Sequence, residues 1–174
     1  KDHYTYAHSK NVARYAATLA VAVGLNDEQV RTIYEAGLLH DIGKISIPEN
    51  ILNKNEELNA EEYQVMTNHV NNSIEMIRHL PEMDYVAPAV LGHHERWDGK
   101  GYPEGLAGDD IPICAQVVGL ADVYDALTSK RVYKDAYSFA KTVNMILRGE
   151  CGIFSPKLLE CFKHVAPQFE ELAA

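Results

Sequence analysis

Apolar residues recur at three- and four-residue spacing along almost the whole chain, and no stretch alternates as a half-buried strand would. That pattern predicts an all-α fold, one helical domain over residues 1–174 with irregular loops around its polar centre. The first helix is expected from about Thr5 to Val23, where Val12, Ala16, Leu19 and Val23 form a stripe that His8 extends and Gly24 ends. Asn26 with Gln29, and Asn59 with Glu62, are capping-box pairs that start the second and third helices. The second carries the stripe Val30, Ile33, Tyr34, Gly37, Leu38 straight to His40 and Asp41. The third is read as continuous through Tyr63, Met66, Val70, Ile74 and Ile77, with His69 beside Val70. Between them, Gly43 to Leu58 reads as an irregular connection containing Pro48. A fourth helix is expected from near Tyr85 to His93 and His94, and a Gly- and Pro-rich loop follows from Asp98 to Pro112. The fifth, about Ile113 to Thr128, turns Val118, Ala121, Asp122 and Asp125 to one side. Ser138 and Ser155-Pro156 start two more.

Composition narrows the function classes. At 174 residues, 47% hydrophobic and 24% charged, the chain can bury the core of one ordinary domain. No apolar run approaches a membrane span and the N-terminus has no apolar leader, so the domain itself is read as soluble, with a cytoplasmic setting expected from its unpaired cysteines, and the abrupt start without Met suggests a fragment of a longer protein. Three cysteines, Cys114, Cys151 and Cys161, have no paired spacing and are expected to be reduced and structural. A net charge of −9 disfavours a nucleic-acid polymer, which needs an extended basic surface, but leaves a small anion open.

One histidine on an apolar face is ordinarily a satisfied core residue. Here His8, His40, Asp41, His69, His93, His94 and Asp122 all fall on or beside the inward stripes of five successive helices. Burying so many imidazoles and carboxylates without compensation is costly, and divalent metal would supply it. Adjacent helical residues point about 100° apart, so His40 with Asp41 and His93 with His94 are expected to reach different ions or bridge them. The expectation is two divalent ions. Imidazole and carboxylate without thiolate suit iron, manganese or cobalt, and two-metal sites activate water and neutralise a phosphoryl group.

The order His8, His40-Asp41, Asp122 resembles the H…HD…D signature of the HD phosphohydrolase superfamily. LLHDIGK (Leu38 to Lys44) with HHERWDGKGYP (His93 to Pro103) resembles its HD-GYP subfamily, and the likeness continues through ADVYDALTSKRVYK (Ala121 to Lys134). The resemblance implies an HD-type helical fold and an enzyme, a cyclic di-GMP phosphodiesterase giving pGpG and then GMP. It implies metal ligation by His8, His40, Asp41, His69, His93, His94 and Asp122, with Asp41 bridging and iron or manganese bound. Lys44 would approach the scissile phosphate, Gly101-Tyr102-Pro103 would contact substrate, and Arg131 and Lys134 would hold phosphate and guanine. Asp125, one helical turn from Asp122, would orient Lys44 or a ligand. Tyr4 stands where some relatives have a glutamate for a third metal, so a third ion is not expected. Lys54-Asn55-Glu56 and Val132 also depart from the common pattern. His3, His79 and His164 lie outside it. Alternatives are a phosphodiesterase for another cyclic dinucleotide such as cyclic GMP-AMP, an enzyme acting on a nucleotide monophosphate, or a non-catalytic module binding a cyclic dinucleotide or a diguanylate cyclase. Sensor or diguanylate-cyclase domains and a homodimer are the partners the resemblance leaves open for a fragment of a signalling protein.

Overall fold

The computed structural model describes residues 2–130 and 135–173. Among them there is no strand, only an isolated bridge between Glu150 and Gly152. Helix α1 spans Asp2–Val23 and α2 spans Asp27–Leu39. Gly24 adopts φ 97° between them, a left-handed turn open to glycine at little cost. The Asn26 side chain then accepts from the Gln29 amide at 2.8 Å, while Gln29 accepts from the Asn26 amide at 3.0 Å. The capping box read from the sequence therefore forms. The two helices meet backbone to backbone, since a Cβ on Gly37 would lie 2.6 Å from Ala13 Cα.

Helix α7, Ile113–Thr128, is buried around most of its circumference and packs against α1, α2 and α6 (Ala87–Gly92), with α8 (Phe139–Leu147) on its other side. Helix α9, Pro156–Ala173, begins where Ser155 Oγ accepts from the Leu158 amide at 3.0 Å, and it closes over α1. An aromatic cluster joins these three layers: Tyr15 of α1 stacks on Phe169 of α9 at 4.8 Å, and Tyr124 of α7 meets Phe169 edge-on at 5.0 Å. Burial of each such ring contributes roughly 1.5–3 kcal/mol.

The middle of the chain differs from the periodic expectation. Residues read as irregular between 43 and 58 hold a 3₁₀ turn, Ile42–Ser46, and a short helix α3, Glu49–Leu52, started by Pro48. The expected third helix breaks at Asn68 into α4, Ala60–Thr67, and α5, His69–Arg78. The cause is local: the Met66 carbonyl accepts from the His69 ring at 2.7 Å. Only α5 reaches the core, through Val70 and Ile77, whereas Tyr63 on α4 remains 53% exposed. The expected fourth helix is a 3₁₀ turn, Pro81–Val86, followed by α6, which stops at Gly92 before the two histidines.

Candidate metal centre

Four of the five histidines of the centre are oriented from behind. His40 caps the C-terminus of α2, His93 caps that of α6, and His69 opens α5. In all three the ring folds back to the carbonyl three residues earlier: Nδ1 lies 2.6 Å from Gly37 O in His40, 2.7 Å from Met66 O in His69 and 2.7 Å from Val90 O in His93. A carbonyl only accepts, so Nδ1 holds the proton and donates, and Nε2 is left with the lone pair that a metal takes. His8, inside α1, is held differently, its Nδ1 donating to Asp125 Oδ2 at 2.6 Å.

The forward-facing atoms fall into two groups that share one residue. His8, His40, Asp41 and Asp122 form the first, and Asp41, His69, His93 and His94 the second, with the ligand atoms of each within 4.8 Å of one another. In the first, His8 Nε2 lies 2.8 Å from Asp122 Oδ1, and His40 Nε2 lies 3.1 Å from Asp41 Oδ2 and 3.2 Å from Asp122 Oδ1. In the second, Asp41 Oδ1 and the Nε2 atoms of His69, His93 and His94 are buried without a hydrogen bond, although His69 Nε2 comes within 3.2 Å of that oxygen. Unpaired buried polar atoms are costly one at a time, and four of them converge here. The donor set fits two divalent ions with Asp41 offering one oxygen to each.

The two groups differ in proton content. Burial alone would lower the His8 pKa, but Asp122, Asp125 and Asp41 outweigh it and push it up to about 12; His40, fully buried, is pushed up to about 9 by Asp41 and Asp122. Asp41 is held well below the usual carboxylate range: burial opposes its ionisation, and the charges of His40 and Lys44 overcome that. His93 and His94 go the other way, lowered first by burial and then by neighbouring imidazole charge. Protons stand in the first group where a cation would sit, while His93 and His94 are neutral donors.

His93 and His94, expected to reach different ions or to bridge them, both fall in the second group alone. Their rings lie 4.1 Å apart, beyond the end of α6, where helical spacing no longer separates them. His40-Asp41 behaves as expected through Asp41, which is common to both groups. Asp125, expected to orient Lys44 or a ligand, meets the candidate ligand His8: its carboxylate accepts from the His8 ring and also from Asn11 Nδ2 at 3.0 Å. Lys44 instead lies 3.0 Å from Asp41 Oδ2. Gly101-Tyr102-Pro103 lies against the second group, the Tyr102 ring stacked on His94 at 4.7 Å with a 17° tilt. A Cβ at Gly101 would come 2.6 Å from Arg96 N, which is why the loop approaches so closely only with glycine there. Burial pushes the Tyr102 phenol up, keeping it neutral. Arg131, Lys134 and Val132 lie outside the described residues.

Two residues were missed in the sequence. The buried Glu95 carboxylate accepts from the amides of Glu104, Gly105 and Leu106 at 3.2, 3.0 and 2.7 Å. The Arg96 guanidinium donates to the carbonyls of His93 and Glu95, both at 3.0 Å, and lies over Phe154. Their only signal was a place inside the string His93 to Pro103, since single charges after a helix otherwise read as solvated.

A family model described as HD domain matches residues 1–152. The chain is 40% identical over 162 residues to 3′3′-cGAMP-specific phosphodiesterase 2 of Vibrio cholerae, covering 92% of this chain and 31% of that protein. It is 36% identical over 189 residues to a cyclic di-GMP phosphodiesterase of the same organism, covering 100% of this chain and 38% of that protein. It thus spans about a third of the length of these relatives. A solved structure of the HDG"Y"P protein Bd1817 of Bdellovibrio bacteriovorus shares the fold, with a TM-score of 0.70 at 20% identity over 94% of this chain and 52% of that one.

Proposed function

Because this chain belongs to the HD domain family, as one of its HD-GYP members, we propose that it is a metal-dependent phosphodiesterase that hydrolyses cyclic di-GMP. The observation that carries the reading is the convergence of Asp41 Oδ1 with three unbonded imidazole nitrogens beside a second group that shares Asp41. Water adds across one phosphodiester bond to give linear pGpG, and a second hydrolysis gives GMP. Two divalent ions held there would supply water activation and charge neutralisation at the phosphoryl group, and iron or manganese suits a set of imidazoles and carboxylates without thiolate.

The chain's own groups do the rest. His8, His40 and Asp122 would hold one ion and His69, His93 and His94 the other, with Asp41 common to both groups. Lys44, 31% exposed beside Asp41, reaches a phosphoryl oxygen and stabilises charge that develops on it. Asp125 fixes the His8 ring. Gly101-Tyr102-Pro103 contacts the substrate, and Arg131 with Lys134 holds phosphate and guanine. Local cations thereby reconcile an anionic dinucleotide with a net charge of −9. Among the described residues no helix is long and apolar enough to cross a membrane, and Cys114, Cys151 and Cys161 form no disulfide. We place the domain in the cytoplasm, as one unit of a signalling protein whose partners are sensor or diguanylate-cyclase domains or a second copy.

Anaerobically purified protein loaded with ferrous iron or manganese should convert cyclic di-GMP to pGpG, read by chromatography. No turnover with either metal, in either oxidation state of iron, overturns the proposal. The 40% identity to a relative named for 3′3′-cGAMP favours that dinucleotide as the second reading. A ratio of kcat/KM above one for 3′3′-cGAMP over cyclic di-GMP would replace the first by it.

A further inference from the structure

We infer that Glu95 is the positioning residue of the 101–106 loop, holding Tyr102 where substrate meets it beside the second ligand group. The inference rests on the proposal above only in giving Tyr102 a substrate. Glu95 follows His93 and His94 directly, is 4% exposed, and among the described residues has no cation as partner. Burying a carboxylate in that way is costly unless its lone pairs are filled. They are filled by three consecutive loop amides: Oε1 accepts from Glu104 and Gly105, and Oε2 from Leu106.

Those amides do not need a buried acceptor. Pro103, Glu104 and Gly105 are exposed, so water could satisfy the backbone there. What the carboxylate adds is position. A half-open pocket of about 540 Å³ borders the loop, lined by Glu95 itself together with Ile74, Leu91, Pro103 and Leu106, so the packing on that side of the loop is incomplete. On the other side of Tyr102, the Tyr102 amide donates to His94 O at 3.2 Å. Tyr102 is therefore bracketed by two contacts that both originate in residues 94 and 95. The Arg96 guanidinium clamps the same turn through the carbonyls of His93 and Glu95. One turn of chain thus turns two imidazoles into the second group and fixes the ring that stacks on one of them.

Glu95→Gln tests this, because an amide NH₂ in place of one oxygen must face a loop N–H and at least one of the three bonds is lost. The expected result is an unchanged metal content, kcat within about twofold, and KM for cyclic di-GMP raised roughly tenfold, the size expected for one charge-assisted bond. In a Tyr102→Ala background, Glu95→Gln should raise KM no further, since the residue acts through that ring. Hydrogen exchange at the amides of residues 104–106 should accelerate in Glu95→Gln, a readout independent of turnover. Loss of metal, unchanged KM and loop exchange, or a full additional KM effect in the Tyr102→Ala background would each overturn the inference. Absence of turnover in the unsubstituted protein would instead count against the proposed function, leaving loop exchange to decide the role of Glu95.

Discussion

His8 meets two carboxylates at once, Asp125 at Nδ1 and Asp122 at Nε2, and a metal bound at Nε2 would have to displace the second contact. Asp125 holds the ring from behind. Asp125→Asn should therefore weaken the ion of the first group by about 10- to 100-fold while leaving that of the second group in place. Metal titration followed by elemental analysis checks this, and equal loss of both ions would contradict it. Residue type made the ligands readable in the sequence: imidazoles and carboxylates on inward stripes have few inexpensive explanations. Which atoms pair did not follow. Whether Asp125 supports Lys44 or His8 depends on how α1 packs against α7, and the role of Glu95 depends on a loop fold that periodicity does not describe.

Helix ends, more than helix interiors, organise the centre. His40, His69 and His93 stand at termini, where a ring can return to a backbone carbonyl near the helix end and leave Nε2 pointing forward. The starts of helices were well marked, because capping pairs such as Asn26 with Gln29 and Asn59 with Glu62 act through neighbours in sequence. The break at Asn68 was not, because a continuous apolar stripe conceals a carbonyl diverted to a side chain. The contact of α1 with α2 at Gly37 brings His8 and His40 to one group. Gly37→Val places new atoms against Ala13 and should cost about 2–3 kcal/mol by overpacking, more than the roughly 1 kcal/mol or less by which leaving glycine favours a helix. Thermal unfolding should fall accordingly, with weaker metal binding in the first group; an unchanged melting temperature would remove the close approach from the account.

At the scale of the whole molecule, the two groups act differently on the metal-free fold: the unbonded atoms of the second burden it, while the charge pairs of the first stabilise it within a window of pH. With folded pKa values raised to about 12 in His8 and about 9 in His40, against 6.5 ordinarily, the metal-free protein gains stability below pH 6.5 that is lost as pH rises through those values. Asp41 and Asp122, lowered from 3.8, contribute stability above that pH that is lost on acidification. Metal-free protein should thus melt highest between these limits. Metal must displace the protons of the first group, so its affinity, and the melting temperature it adds, should grow between about pH 5.5 and about pH 8.5. A stabilisation by manganese that shrinks over that range would contradict the assignment. Anomalous scattering from crystals of the loaded protein tests the central claim most directly. The account predicts two peaks about 3.5–4 Å apart, one beside His8, His40 and Asp122, the other beside His69, His93 and His94, with Asp41 between them. A single peak, or two that do not share Asp41, would contradict it.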